Sequence, residues 1–229
     1  MFLILGLLSC SSFASAKINL GSAATFGVLS SASVTNTGAT VINGDLGTVG
    51  TSITGFPPGV FTGTEITGTP ATKPLNDAQT AYNVLTGLGG ATPLIGDLGG
   101  MTLAPGTYSY SSSAAVTGTL TLAGTGSSSD AWYFQIGSSL VMATGSSVVL
   151  TEGAQACDVF WQVGTSATLG TGSLCHGPIL AGASVTLNTD AVSNGGVFGL
   201  TGSVTLDANT VNLIEILFQH QYHVTEPHN

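Results

Sequence analysis

The sequence predicts a mainly β chain wound into a β-solenoid, and three observations predict it. A motif returns at a fixed interval: Gly-Thr-Ser-Ala-Thr-Leu at 164–169, Gly-Ala-Ser-Val-Thr-Leu at 182–187 and Gly-Ser-Val-Thr-Leu at 202–206. Leu169, Leu187 and Leu206 recur at about 18–19 residues, as do Phe160, Ile179 and Phe198. A period of this size marks a solenoid, in which no coil buries a core alone and stacked coils share one. The second observation is alternation of period two within each repeat. Ala167, Val185 and Val204 side with the leucines, while Ser166, Thr168, Ser184, Thr186, Ser203 and Thr205 point the other way. Third, only one stretch of the chain has helical periodicity, and the rest is rich in Gly, Ser, Thr and Val with regular turn signals.

Taken in order, residues 22–70 read as short strands over 25–35, 39–43 and 60–67, with turns at Asn43-Gly44-Asp45 and Pro57-Pro58-Gly59. The helix is expected over about 74–86. Leu75, Ala78, Tyr82 and Leu85 form an apolar stripe, Pro74 suits a first turn and Gly87 can end it. A lone helix in a β chain should lie along the outside of the solenoid and cover one side. Strands resume at 106–110, 115–122, 131–136, 139–142, 147–151 and 157–163 and run into the repeats. Trp132 and Trp161 sit in strongly apolar segments that read as core.

Charge narrows the function. Only 6% of the 229 residues are charged, against about 25% in ordinary soluble domains. Lys17 and Lys73 are the only cations, there is no Arg, and 11 acids give a formal −9. A nucleic-acid surface needs clustered cations, so no nucleic-acid partner is expected. Positions 1–16, an apolar stretch ending in Ala14-Ser15-Ala16, read as a secretory signal; Leu7-Leu8-Ser9-Cys10 is a poorer, lipoprotein-like alternative. No later run is long enough to span a membrane. The chain is therefore expected to be exported, extracellular, without a membrane partner and monomeric.

With Cys10 removed alongside the signal, Cys157 and Cys175 remain, at the same interval as Leu169 and Leu187. One coil period should stack them on adjacent rungs, about 4.7–4.9 Å apart, within the Cα separation a disulfide tolerates. The spacing predicts a bridge in an oxidising compartment; two buried free thiols are the alternative.

Candidate chemistry is sparse. Asn188-Thr189-Asp190 and His176-Gly177 resemble polygalacturonase motifs, but in reversed order, without an intervening Asp pair and without Arg. Asp158 and His176 could be stacked neighbours, more simply a surface hydrogen bond than an acid–base pair. His220-x-x-His223 with His228 lies in the tail 215–229, where no Cys or paired carboxylate completes a metal site. No metal, cofactor or catalytic residue is expected. The positive signal is the outward ladder of small hydroxyls and methyls, free of charge over three rungs. Such an array on a flat sheet can hold water in an ordered layer.

Across about residues 18–214 the chain resembles the microbial ice-binding (antifreeze) proteins. The stretches that carry the resemblance are Leu20-Gly-Ser-Ala-Ala-Thr-Phe-Gly-Val-Leu29, Asn43-Gly-Asp-Leu-Gly47, Gly96-Asp-Leu-Gly-Gly-Met-Thr-Leu-Ala-Pro-Gly-Thr-Tyr108, Asp130-Ala-Trp-Tyr-Phe-Gln-Ile136, Gly153-Ala-Gln-Ala-Cys-Asp-Val-Phe-Trp-Gln-Val163, Gly177-Pro-Ile-Leu-Ala181 and Asn194-Gly-Gly-Val-Phe198. The resemblance implies a right-handed, three-sided β-solenoid with a helix against one side. It is a discontinuous β-helix, its N-terminal coil tucked beside the C-terminal ones. It also implies one flat side that adsorbs to ice through mixed Thr, Ser, Ala and Gly. Matching positions are Thr201, Ser203 and Thr205; stacking extends the face to Ser184, Thr186, Ser166 and Thr168, and the N-terminal match adds Ser31, Ser33 and Thr35. The chain departs from the family at Asn194-Gly195-Gly196, where Asn-Gly-Arg is common. The competing expectations are a carbohydrate-binding or adhesive solenoid and a polysaccharide lyase or hydrolase.

Overall fold

The computed structural model describes residues 9–10 and 18–216. In it the repeating coil produces three parallel sheets of nine, eight and seven strands, one along each side of a β-solenoid. Period-two strands separated by tight corners give this result because each strand pairs with the next coil one rung away. Leu169, Leu187 and Leu206 are buried at 0–1% exposure, as are Ala167, Val185 and Val204. The inward half of the alternation is therefore the core, stacked in register through Ala167↔Val185↔Val204.

The coils do not stack in chain order. Phe26–Ser30 pairs with Val197–Gly199, Ser33–Thr37 with Val204–Asp207, and Val41–Asn43 with Thr210–Asn212. The first coils of the chain thus continue the stack beyond the last repeat, as the family resemblance implies. A separate short pairing, Ser9↔Glu215 and Cys10↔Ile216, joins two distant segments in parallel.

The expected strands are broken by corners that the sequence pattern passes over. The stretch 25–35 is two strands, Phe26–Ser30 and Ser33–Thr37, which belong to different sheets; 60–67 divides into Val60–Phe61 and Glu65–Thr67, and 115–122 into Ala114–Val116 and Thr119–Ala123. At the corner leading into the seven-stranded sheet a side chain has no room. A Cβ at Gly182 would stand 2.5 Å from the carbonyl oxygen of Gly164 on the adjacent rung.

The nine-stranded sheet is apolar on both faces, as Phe26–Ser30 and Val159–Val163 show by being buried at every position. Here the expected alignment of Phe160, Ile179 and Phe198 needs correction. Ile179 pairs with Trp161 and Val197 in the inner core, whereas Phe198 pairs with Leu180 and Leu29 on the outer side. The interval from Phe160 to Ile179 is one position longer than the coil, so it crosses from one face of the strand to the other. Inside, Tyr108, Phe134 and Trp161 stack, the last two with centroids 4.0 Å apart. Both tryptophans are fully buried, and their ring N–H groups donate to the carbonyls of Leu103 (Trp132) and His176 (Trp161).

The helix, Thr72–Thr86, covers the outer side of this sheet against Trp132–Ile136, Val159–Val163 and Ile179–Ala181. It starts ahead of Pro74 because a 3-10 turn, Thr69–Ala71, leads into it. Its buried stripe is Pro74, Leu75, Ala78, Ala81 and Leu85, with Tyr82 half-buried. The small Ala78 and Ala81 let it approach Phe160, Leu180 and Phe198 closely. Gln135, reaching out of the sheet, donates to the carbonyls of Leu85 and Leu88 and so satisfies the helix C-terminus. At the other end Asp77 ties the helix to the 3-10 turn Gly21–Thr25. It accepts from Lys73 Nζ (2.7 Å), Ser22 Oγ (2.5 Å) and the Ser22 N–H (2.8 Å).

The expected Cys157–Cys175 bridge is not formed. Cys175 is a free thiol, fully buried, and burial pushes its pKa up to about 12. The reason is coil length. The coil from Trp132 to Val159 is half as long again as the one from Trp161 to Ile179. The turn Ala156–Asp158 and the positions before it are an insertion ahead of the strand. Leu174 therefore stacks on Ser147, and Cys175 on Ser193, while Cys157 sits half-buried at a corner. In the same strand His176 lies one rung from Asn194. The expected signal, apart from Ser9 and Cys10, and the tail histidines His220, His223 and His228 lie outside the described residues.

Two measurements check this account. Gly182→Val should destabilise the protein by about 1–3 kcal/mol through the forced corner, read as a lowered denaturant midpoint with an unchanged slope. The hydrogen bond from Lys73, then those from Ser22, hold the Asp77 carboxyl down at about 2, below its usual 3.8. A depressed folded-state value means that the contact stabilises above the unfolded pKa and is lost as pH falls through the folded one. Between about pH 5 and pH 2, wild-type protein should thus lose more stability in urea melts than Asp77→Asn.

Candidate functional site

The seven-stranded sheet runs in the order Ala114–Val116, Leu140–Met142, Ala167–Leu169, Val185–Leu187, Val204–Asp207, Ser33–Thr37, Ser52–Thr54. Inward and outward residues alternate along each strand and the position before it, which produces two files along the outer side. The first is Ala115, Val141, Thr168, Thr186, Thr205, Thr35 and Thr54, in continuous register. The second lies two positions earlier on each strand: Ser113, Ser139, Ser166, Ser184, Ser203, Ser33 and Ser52. Rungs about 4.8 Å apart and files about 6.6 Å apart make a lattice roughly 29 Å long.

Of the ten residues expected on this face, eight come together in the two files: Ser166, Thr168, Ser184, Thr186, Ser203, Thr205, Ser33 and Thr35. Thr201 and Ser31 lie at the corner before it, where the two neighbouring coils follow one another. The exposed Thr201 hydroxyl donates to the Gly182 carbonyl, and the half-buried Ser31 donates its N–H to Gly199. Six members of the files escaped the sequence reading: Ser113, Ala115, Ser139, Val141, Ser52 and Thr54. A signal for two existed, since Ser52-Ile53-Thr54 repeats the Ser-aliphatic-Thr of Ser33-Val34-Thr35. The rungs at Ala115 and Val141 carry no threonine, and only the pairing reveals them.

The serines interact along the stack. Ser33 and Ser203 hydroxyls are 2.8 Å apart, as are those of Ser113 and Ser139, while Ser184 Oγ accepts from the Ser203 N–H at 3.2 Å and Ser166 Oγ from the Ser184 N–H at 3.4 Å. Among the strands of this sheet Asp207 is the only charged residue. It sits half-buried at a strand end, accepting from Thr189 Oγ1, with Asn209 Oδ1 receiving its N–H. The two files are therefore periodic and free of charge, with Asp207 beside them at one strand end.

Neither other side offers this. The nine-stranded sheet is covered by the helix. The eight-stranded sheet presents an amide ladder in which Asn43 donates to Asn212 (2.7 Å), Asn212 to Asn194 (2.9 Å), and Asn194 faces His176 Nδ1 at 3.3 Å. Burial lowers the pKa of His176, which favours its neutral form. Beside the ladder runs an uneven file of Leu174, Val192, Thr210, Val41 and Val60. Its amides are satisfied by one another and its side chains differ in height. Among the described residues no group of three or more metal-ligating side chains occurs.

The comparisons with known proteins agree with this architecture. The family model described as ice-binding-like matches residues 28–212. An ice-binding protein of Nostoc sp. (strain HG1) is 47% identical over 219 residues, which cover 92% of this chain and 81% of that protein. The crystal structure of an ice-binding protein from the Antarctic ascomycete Antarctomyces psychrotrophicus superposes with a TM-score of 0.82 at 44% identity, covering 86% of this chain and 98% of the other. An ice-binding protein from an Antarctic biological consortium gives 0.83 at 39% identity, covering 91% and 95%. With the family model spanning most of its length and relatives of this identity along nearly the whole chain, the protein belongs to the ice-binding-like family.

Proposed function

We propose that this protein adsorbs to ice through the seven-stranded Ser/Thr face and so restrains crystal growth and recrystallisation. The observation that carries the reading is the unbroken register of two outward files over seven rungs without an intervening charge. Ionic side chains hold mobile hydration shells, whereas small hydroxyls and methyls on a rigid sheet order water at fixed spacing. Each contact is weak. A preorganised array makes many at once without ordering cost, so that desorption of the whole is slow. Ice then advances only between adsorbed molecules, its front curves, and further growth needs a lower temperature.

Ice is the only partner this mechanism requires, and one copy of the face suffices, so we take the protein to act as a monomer without cofactor or catalysis. The leader-like start over positions 1–16 supports export to the extracellular space, where crystals form. The carbohydrate-binding alternative loses its main candidates because Trp132 and Trp161 are fully buried and form no exposed aromatic platform. The hydrolase alternative loses its apparent motif, since His176 lies within the amide ladder and Asp190 in an exposed turn at a φ of 60°.

Thr186→Tyr and Thr205→Tyr add bulk to the face without entering the core. Each should remove most of the gap between freezing and melting temperatures in nanolitre osmometry. Stability should change by no more than about 0.5 kcal/mol and circular dichroism should not change. Full activity in both variants would place ice adsorption elsewhere on the molecule.

A further inference from the structure

Val141 is a large aliphatic side chain left 45% exposed on the second of the seven rungs, between Ala115 and the threonines. It pairs directly with Thr168 on one side and Ala115 on the other, so that it occupies the rung that the threonine file would fill next. Valine and threonine share a branched β-carbon and differ only by one methyl in place of one hydroxyl. Both are stiff at χ1. What the file repeats from Val141 to Thr54 is thus a shape, a fixed methyl at each rung, and not an unbroken series of hydrogen-bond donors.

The two files also differ in what their hydroxyls already do. In the serine file, hydroxyl–hydroxyl and hydroxyl–amide bonds link Ser113 to Ser139, Ser166 to Ser184, Ser184 to Ser203, and Ser203 to Ser33. A hydroxyl has one donor and two acceptor positions, and each of these serines commits one of them inside the protein, which fixes its orientation. In the other file the hydroxyls of Thr168, Thr186 and Thr54 bond to no other described residue, and Thr35 and Thr205 share one long contact of 3.4 Å. Exposure varies along both files: Thr35, Thr54, Thr205, Ser52 and Ser113 are exposed, while Thr168, Thr186, Ser33, Ser139, Ser166, Ser184 and Ser203 are half-buried. It is therefore the bonding of the hydroxyls that separates the files.

We propose that ice is contacted by the file Val141, Thr168, Thr186, Thr205, Thr35 and Thr54, with Val141 acting as a shape-equivalent of threonine, and that the serine file is a tied floor making little of the contact. This rests on the reading of the seven-stranded face as ice-adsorbing. Compared with the rungs legible in the sequence, Thr168 to Thr35, it adds one at each end, Val141 and Thr54. It also narrows that surface to one file in width.

The test uses the full chain and the freezing–melting gap, with thermal melting as a check on folding. Val141→Thr should keep the gap, because shape is preserved. Val141→Lys and Thr54→Lys should each reduce it several-fold with melting unchanged, as a mobile hydrated charge replaces a fixed methyl. The double variant Ser184→Ala/Ser203→Ala should keep more than half of it. Thr205→Tyr reports on the underlying reading: a full gap in that variant means that the face does not adsorb ice, and this proposal falls with it. If Thr205→Tyr abolishes the gap but Val141→Lys or Thr54→Lys leaves it intact, the enlarged file is overturned and the face stands. If the serine pair loses as much as Thr205→Tyr at an unchanged melting temperature, the division between files is overturned.

Discussion

Backbone pairing from rung to rung is what every other feature of this molecule depends on. In a parallel sheet the pairing fixes neighbouring residues at one spacing, and all three sides inherit it. The core inherits it as stacked leucines and the Tyr108–Phe134–Trp161 series, the covered side as a surface regular enough for one straight helix, and the bare side as its lattice. A shift of one residue in any coil would exchange inward and outward side chains over that coil. The inner Val34, Val185 and Val204, all buried completely, oppose such a shift.

The three sides deal with water in different ways, and the chemistry of each follows from what its outward positions bond to. On the nine-stranded side, apolar outward residues require a cover, and the helix provides it. On the eight-stranded side, Asn43, Asn212 and Asn194 satisfy one another, so the surface is polar yet largely self-contained. On the seven-stranded side the threonine hydroxyls have few protein partners. That side alone meets solvent with regular, unsatisfied groups. With so few charges in the chain, contact with water rests on these neutral surfaces and on a few acids, such as Asp207 and Asp97. Burial would raise the Asp97 carboxyl, but hydrogen bonds from Thr117 and Gly99 outweigh this and lower it.

Much of this was legible in the sequence where one side of a strand faces water. The alternation at Ser203-Val204-Thr205 and its two earlier copies marked inside and outside correctly, and the apolar stripe from Leu75 to Leu85 located the helix. Legibility failed where both sides of a strand are buried. At Val159–Val163 no position faces water, so Phe160 and Ile179 looked equivalent though they face opposite ways. It failed again where coil length changes: the insertion before Val159 carries Cys157 out of line with Cys175, and no local pattern announces it. The outermost rungs were hidden for a third reason, because Ala115 and Val141 lack the hydroxyl of the threonines they extend. Only their pairing assigns them.

The order of stacking has a consequence for synthesis. Phe26–Ser30 is made well before Val197–Gly199 yet belongs between that strand and Asp45–Thr48, so its place is incomplete until the last of the three repeats exists. Pairing across nearly the whole chain is slow to form and leaves sheet edges open meanwhile. The early coils therefore remain unfinished, without their native neighbour along this edge, until synthesis reaches Val197–Gly199 and the stack closes.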